Sequence, residues 1–127
     1  MGSVRRGDSR AAHRRALGHR AESLVCEHME RLGYEVIARN ARVGRLELDI
    51  VARRGRLLVF CEVRALTSDE RAFPSQTVGG RKAQRVRQAA AAWMRERGAG
   101  TREVRLDVAS VVFDTPEGRL TYLEGAL

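Results

Sequence analysis

From Leu17 onward the apolar positions recur at a period of about 3.6 residues: Leu17, Ala21, Leu24, Val25, His28 and Leu32 share one stripe. The pattern predicts a helix that Gly33 stops. Residues Tyr34–Asn40, "YEVIARN", then read as a short strand. Strict alternation follows in Leu46–Val51, where Leu46, Leu48 and Ile50 point one way and Glu47, Asp49 and Val51 the other. In Leu57–Arg64 the faces are Leu57, Val59, Cys61, Val63 against Leu58, Phe60, Glu62, Arg64. A polar, turn-rich loop, "ALTSDERAFPS", leads to a long helix over Ser75–Arg97 with Val78, Lys82, Val86, Ala89 and Trp93 near one face. Two further strands, "EVRLDVASVVF" and "GRLTYLEGA", flank the turn signal "DTPEG". Helix, three strands, helix, two strands predicts an α/β layer fold, a central sheet covered by helices.

The glycine in "ARRGR" makes the second and third strands a hairpin. A two-residue turn at Arg54-Gly55 sets Asp49 against Phe60 and Glu47 against Glu62, which makes Asp49 and Glu62 diagonal neighbours on one side. This placement depends on the register, and a longer turn separates the two carboxylates.

At 127 residues the chain is expected to be one domain, residues 17–127, preceded by a basic, aperiodic and mobile arm over residues 1–16. The formal charge of +8 favours a polyanion, with nucleic acid the leading class. Of its 24 basic residues only Lys82 is a lysine, so part of this charge reflects a general arginine bias. No apolar run approaches the roughly 18–20 residues that span a bilayer, and no secretory h-region is present. Cys26 and Cys61 have no paired spacing and are expected to be reduced thiols in a cytoplasmic protein. His13, His19 and His28 form no metal-ligand pattern with them.

Carboxylates on adjacent strands repel unless something neutralises them. Arginines can do so as structural ion pairs, and Glu47 has Arg45 and Arg64 within reach on that reading. A divalent cation can also do so, because Mg²⁺ takes few protein carboxylates and completes its shell with water and phosphate oxygens. Bound in that way, it activates water against a phosphodiester, and a nearby cation such as the residue at position 64 helps to hold the scissile phosphate.

The order Asp49-x(12)-Glu62-x-Arg64 on a hairpin after a helix resembles the PD-(D/E)xK nuclease signature. Its setting is more specific. The run from "LGHRAE" through "GYEVIARNAR", "LELDIVA" and "LVFCEVRAL", with "RKAQRVRQAAAAWM" and "VRLDVASVVF" after it, resembles the YraN family of bacterial proteins over about Leu17–Leu127. The resemblance implies a restriction-endonuclease-like three-layer fold with a mixed five-stranded central sheet, distantly similar to Holliday junction resolvases. It implies a Mg²⁺- or Mn²⁺-dependent endonuclease acting on branched or single-stranded DNA rather than RNA. The alternative is a non-enzymatic nucleic-acid-binding protein on a nuclease fold that works through partners in recombination or repair. Related resolvases are dimers, and a homodimer is one option here. Carried over by motif, the metal ligands are Glu22, Asp49, Glu62 and Val63, the last with only main-chain atoms to offer. Asp49, Glu62, Arg64 and Lys82 are the catalytic candidates. Arg42, Arg64, Arg81, Lys82 and Arg85 are the expected nucleic-acid contacts.

Three departures from the family pattern stand out. Leu46 replaces a glycine before the first acidic pair, and Leu106 replaces a phenylalanine before Asp107, a change expected to affect packing alone. The motif lysine is Arg64, which grips phosphate bidentately but cannot act as a base. In PD-(D/E)xK enzymes the lysine is known to migrate to a neighbouring element, and Lys82 is placed to serve in that way. Its other reading is a side chain whose stem covers Val78 and Val86 while its head stays in water.

Overall fold

A computed structural model describes residues 6–68, 80–98 and 102–127. The elements are α1 (Arg6–Arg31), β1 (Glu35–Val43), β2 (Leu46–Arg54), β3 (Leu57–Thr67), α2 (Gly80–Arg97), β4 (Glu103–Phe113) and β5 (Arg119–Leu123). They build one five-stranded sheet in the order β1-β2-β3-β4-β5. β3 and β4 run parallel, and every other neighbouring pair is antiparallel. A parallel pair needs a crossover, and α2 supplies it. The result is the mixed, three-layer α/β arrangement expected from the element order.

Each face of the sheet has its own core. On the α1 side, Ala21, Val25, Cys26 and Met29 pack against Tyr34, Ile50, Ala52, Val59, Cys61, Ala109 and Val111. On the α2 side, Val86, Ala89, Ala90 and Trp93 cover Val51, Leu58 and Phe60. The alanines let α2 lie close to the sheet, and Trp93 fills the remaining depth with its ring edge-on to Phe60 at 5.7 Å between centroids. Cys26 and Cys61 are free and buried, and burial pushes both thiols up, so they behave as small apolar residues. Among the described residues no helix is long and apolar enough to cross a membrane.

Several boundaries differ from those the pattern predicts. α1 starts at Arg6, so the described part of the expected arm is helical; residues 1–5 lie outside the described residues. Ala11, Ala12 and Ala16 among arginines favour helix by propensity. Their turns are exposed, so they needed no apolar stripe to announce them. Leu32 leaves the expected stripe at 51 % exposure, and Met29, fully buried, takes its place. The cause is a Schellman cap: Tyr34 N–H donates to Met29 O and Gly33 N–H to Glu30 O, with Gly33 at φ 90°. The cap folds Tyr34 back onto Met29 in the core and leaves Leu32 outside. β3 runs on through Thr67, where a loop was expected, and the expected start of α2 at Ser75–Gly79 lies outside the described residues.

Gly118 closes the turn into β5 at φ 78°, and a Cβ there would lie 2.9 Å from both Phe113 Cε1 and Val111 Cγ1. Gly118→Ala is therefore expected to cost about 2–3 kcal/mol, from overpacking and a left-handed backbone together. Urea unfolding checks this, and a loss under about 0.5 kcal/mol would show that the turn simply relaxes.

Candidate active site

The β2–β3 turn is Gly55-Arg56, one residue later than the pattern suggested. Arg54 pairs with Leu57, Arg53 with Leu58, Ala52 with Val59, Val51 with Phe60 and Ile50 with Cys61. Gly55 takes φ 60° at the first turn position, where a type II′ hairpin places its glycine. Continued by one residue, this register sets Asp49 directly opposite Glu62, where a turn at Arg54-Gly55 makes them diagonal.

The ladder stops at Ile50 and Cys61. Beyond that pair β2 stays with β1 as far as Leu46, while β3 stays with β4 as far as Thr67, so the sheet forks. Asp49 and Glu62 are the first residues of its two prongs. Asp49 Oδ2 accepts the Val63 N–H at 2.8 Å and fills the place of a strand partner. An extended residue carries its N–H and C=O on the same strand edge, so the Val63 carbonyl also opens toward Asp49.

The hairpin changes phase at this place. Leu46 and Leu48 pack on the α2 side together with Val51, whereas Ile50 joins the α1 side. In β1, Ala38 and Ala41, three residues apart, also share the α2 side. Asn40, between them and across from Asp49 in the β1–β2 register, has φ 50°, the one positive φ outside glycine among the described residues. Simple alternation of β2 therefore fails at Asp49. Kinks of this kind re-aim side chains next to functional sites.

Two clefts meet at this kink. One faces α2 and is lined by Arg45, Leu46, Glu47, Asp49, Glu62, Lys82, Arg85 and Val86, with about 390 Å³ of room. The other faces α1 and is lined by Arg15, Gly18, His19, Glu22, Asn40, Glu47, Asp49 and Val63, with about 230 Å³. Glu47 and Asp49 belong to both. Glu22 and Glu62 are 7 % and 8 % exposed, an unusual depth for carboxylates. Burial, and next the Glu62 carboxylate, push Asp49 up to about 7; the Val63 N–H pulls the other way, and Glu22 adds to the rise. Lys82 Nζ lies 2.8 Å from Glu62 Oε1. His19 Nδ1 lies 3.5 Å from Glu22 Oε1.

The structure thus gathers Glu22, Asp49, Glu62, Val63 and Lys82 around the fork, and Arg85 onto its rim. Arg64 lies on the Glu62 face of β3, partly buried, and is not among the residues lining either cleft. Neither are Arg42 and Arg81; Arg81 is exposed and Arg42 is an exposed neighbour of Glu47's strand. Sequence reasoning missed Asn40, and it assigned Arg15 to the arm although Arg15 lines the α1 cleft. Asn40 carried one signal, since asparagine is enriched at positive φ. Nothing local marked Arg15.

Among the described residues, no three His, Cys, Asp or Glu side chains converge tightly enough to form a ready-made metal cage. The donor chemistry nevertheless fits a hard divalent cation: Asp49, Glu62 and the Val63 carbonyl offer oxygens alone, few in number, with open cleft for water. The fork also has negative charge to offset. An ammonium on Glu62 and a proton on Asp49 below about pH 7 now do this.

Residues 21–111 match the family described as uncharacterised protein family UPF0102. A UPF0102 protein of Anaeromyxobacter sp. (strain Fw109-5) is 38 % identical over 120 residues, covering 94 % of this chain and 90 % of the relative. One of Sorangium cellulosum is 42 % identical over 118 residues, 91 % of this chain and 81 % of the relative. Another, of Acidothermus cellulolyticus, is 39 % identical over 127 residues, 91 % and 96 % of the two chains. Glu22, Asn40, Asp49, Glu62 and Lys82 all lie within the matched span, and the chain belongs to the UPF0102 family, the YraN proteins its motifs resemble.

Proposed function

We propose that this protein is a cytoplasmic, divalent-metal-dependent endonuclease that cleaves phosphodiester bonds in branched or single-stranded DNA. The observation that carries the reading is the forked sheet, which brings Asp49 and Glu62 together with a lysine 2.8 Å from Glu62. The charge of +8 and the basic rim of Arg15, Arg45, Lys82 and Arg85 support a polyanionic substrate.

Asp49, Glu62 and the Val63 carbonyl would hold Mg²⁺ or Mn²⁺, with Glu22 reaching it from α1. When bound, the cation supplies a water of lowered pKa and offsets charge building on the phosphate. Lys82 supplies what Arg64 cannot. Its ammonium now pairs with Glu62 at 2.8 Å, and its exposed stem would let it reach a phosphate oxygen or the attacking water instead. Arg64, always charged, remains suited to phosphate on the same face of β3. Arg85, beside Lys82 on the cleft rim, would hold the neighbouring phosphate.

Cleavage of branched and single-stranded DNA with Mn²⁺ tests this. Asp49→Ala and Glu62→Ala are each expected to lose activity to background. Lys82→Ala is expected to lose at least about 100-fold in kcat while retaining Mn²⁺ affinity, the size of loss typical for a proton-transfer group. Activity equal in Asp49→Ala and wild type would remove the enzyme reading. Arg64 in the motif lysine position favours a second reading, a non-catalytic DNA- or RNA-binding protein. It predicts salt-dependent binding that Asp49→Ala leaves intact, with no cleavage by the wild type.

A further inference from the structure

Asn40 sits where β1 changes phase, and its amide lies between carboxylates from two other elements. The end of the amide that meets two carboxylate oxygens takes the nitrogen, since these accept and cannot donate, while the other end meets only one. In this orientation it donates to Glu22 Oε2 at 2.7 Å and to Glu47 Oε1 at 3.2 Å. In the opposite orientation the nitrogen still reaches Glu22 Oε1, at 3.3 Å. An amide nitrogen has two hydrogens, and here each serves one glutamate, one from α1 and one from β2.

We infer that Asn40 is a positioning residue for the site proposed above: it holds the Glu22 and Glu47 carboxylates on the α1 side of Asp49, so that both face a cation bound there. The role rests on the metal-site reading and deepens it. Two glutamates drawn to one point repel, and without a donor between them each turns toward water. The amide offsets that repulsion while leaving the carboxylates anionic. Each glutamate gives it one oxygen; the second oxygen of Glu22 has His19 Nδ1 3.5 Å away, and both glutamates line the cleft they share with Asp49. The left-handed backbone places the amide here. At φ 50° the side chain leaves β1 at the phase break rather than on either regular face, and asparagine adopts this conformation more readily than any β-branched residue.

Asn40→Gly separates these contributions, because glycine keeps the left-handed backbone and removes only the amide. Mn²⁺ binding is measured by calorimetry on the full chain for wild type, Asn40→Gly, Glu47→Ala, the double variant and Asp49→Ala. The expected result is Mn²⁺ affinity about 10- to 100-fold weaker in Asn40→Gly, the range for loss of a group that orients a ligand. In the Glu47→Ala background the same change is expected to have a smaller effect, since Asn40 acts partly through Glu47; a purely structural role would give additive losses. Wild-type affinity in Asn40→Gly, with Asp49→Ala abolishing binding, overturns the positioning role and leaves the metal site standing. No Mn²⁺ binding by the wild type overturns both. Should Asn40→Gly not fold, Asn40→Asp takes its place, since it tolerates the same backbone and cannot donate. Weaker binding is expected from it, and affinity equal to or above wild type overturns the role.

Discussion

Replacing Asp107 with alanine is expected to lower the melting temperature by about 10–20 °C, a loss of about 3–5 kcal/mol. Asp107 is the most completely buried charge among the described residues, at 0 % exposure. Every direction around its carboxylate is used. Arg105 donates from Nε to Oδ1 and from a terminal nitrogen to Oδ2, both at 2.9 Å, while the Tyr122 hydroxyl donates to Oδ2 and Gly125 N–H to Oδ1 at 2.8 Å. The same Arg105 donates to the Tyr34 hydroxyl at 2.9 Å. Asp107 thus joins β4 to β5 and the C-terminal turn, and Arg105 extends the network to Tyr34 after α1. Removing Asp107 takes two hydrogen bonds from a guanidinium that is only 20 % exposed and then keeps Tyr34 and Glu124. It also takes this acceptor from the Tyr122 hydroxyl and the Gly125 N–H. An arginine guanidinium keeps its proton at ordinary pH, so Arg105 cannot relieve the loss by becoming neutral. The Arg53–Glu35 pair is the contrast. It is a single hydrogen bond at 3.0 Å, its partners are 42 % and 65 % exposed, and Glu35→Gln is expected to cost under about 1 kcal/mol. Thermal melts of the two variants decide the matter, and similar small losses would show that the Asp107 network is dispensable.

The second large effect concerns Asp49 and pH. Without metal, Asp49 is expected to keep its proton in the folded protein up to about pH 7, while in the unfolded chain it ionises near the ordinary value of 3.8. Between these pH values the native state binds more protons than the unfolded state, so stability falls as pH rises. The contribution is complete below about pH 4 and lost above about pH 7. A rise from 3.8 to about 7 corresponds to about 4 kcal/mol at most, and partial exposure of the carboxylate brings this to about 2–4 kcal/mol. Asp49→Asn keeps an oxygen for the Val63 N–H and removes the charge. At pH 8 in chelator it is expected to melt about 5–15 °C above wild type, with the gap closing toward about pH 4.5. A constant gap at all pH values would mean that Asp49 titrates normally. Added Mn²⁺ should raise the wild type at pH 8 and not the variant, because a ligand stabilises only the form that binds it.

The two effects show why these buried carboxylates differ. Asp107 is surrounded by donors and is structural. Asp49 has one N–H and two carboxylate neighbours, and its site is left with negative charge to offset. A carboxylate raised in this way marks a candidate functional site.

Much of this architecture was written in the periodicity. Helical spacing located α1 and α2, alternation located β2 and β3, and their order called for a sheet with helices on both faces. The two faces of Leu57–Arg64 came out as the sequence suggested, because β3 is the central strand and is buried along most of its length. Asp49 and Glu62 were expected to be neighbours, and they are. The expected turn began one residue early, and the neighbour relation survived because both registers keep these side chains adjacent.

The tertiary structure decided the remainder. Which residue opens the β2–β3 turn depends on how the paired strands pack, and alternation reads the same for either turn. The phase break at Asn40 and Asp49 is invisible to any single strand, since it arises where β1 and β2 together leave the sheet formed by β3 and β4. Lys82 and Arg15 lie 33 positions above and 34 below Asp49 in the chain, and only the packing of α1 and α2 on opposite faces brings them to one fork. Local sequence determines which face of an element is apolar; side chains from distant elements meet only after those faces have been buried against each other.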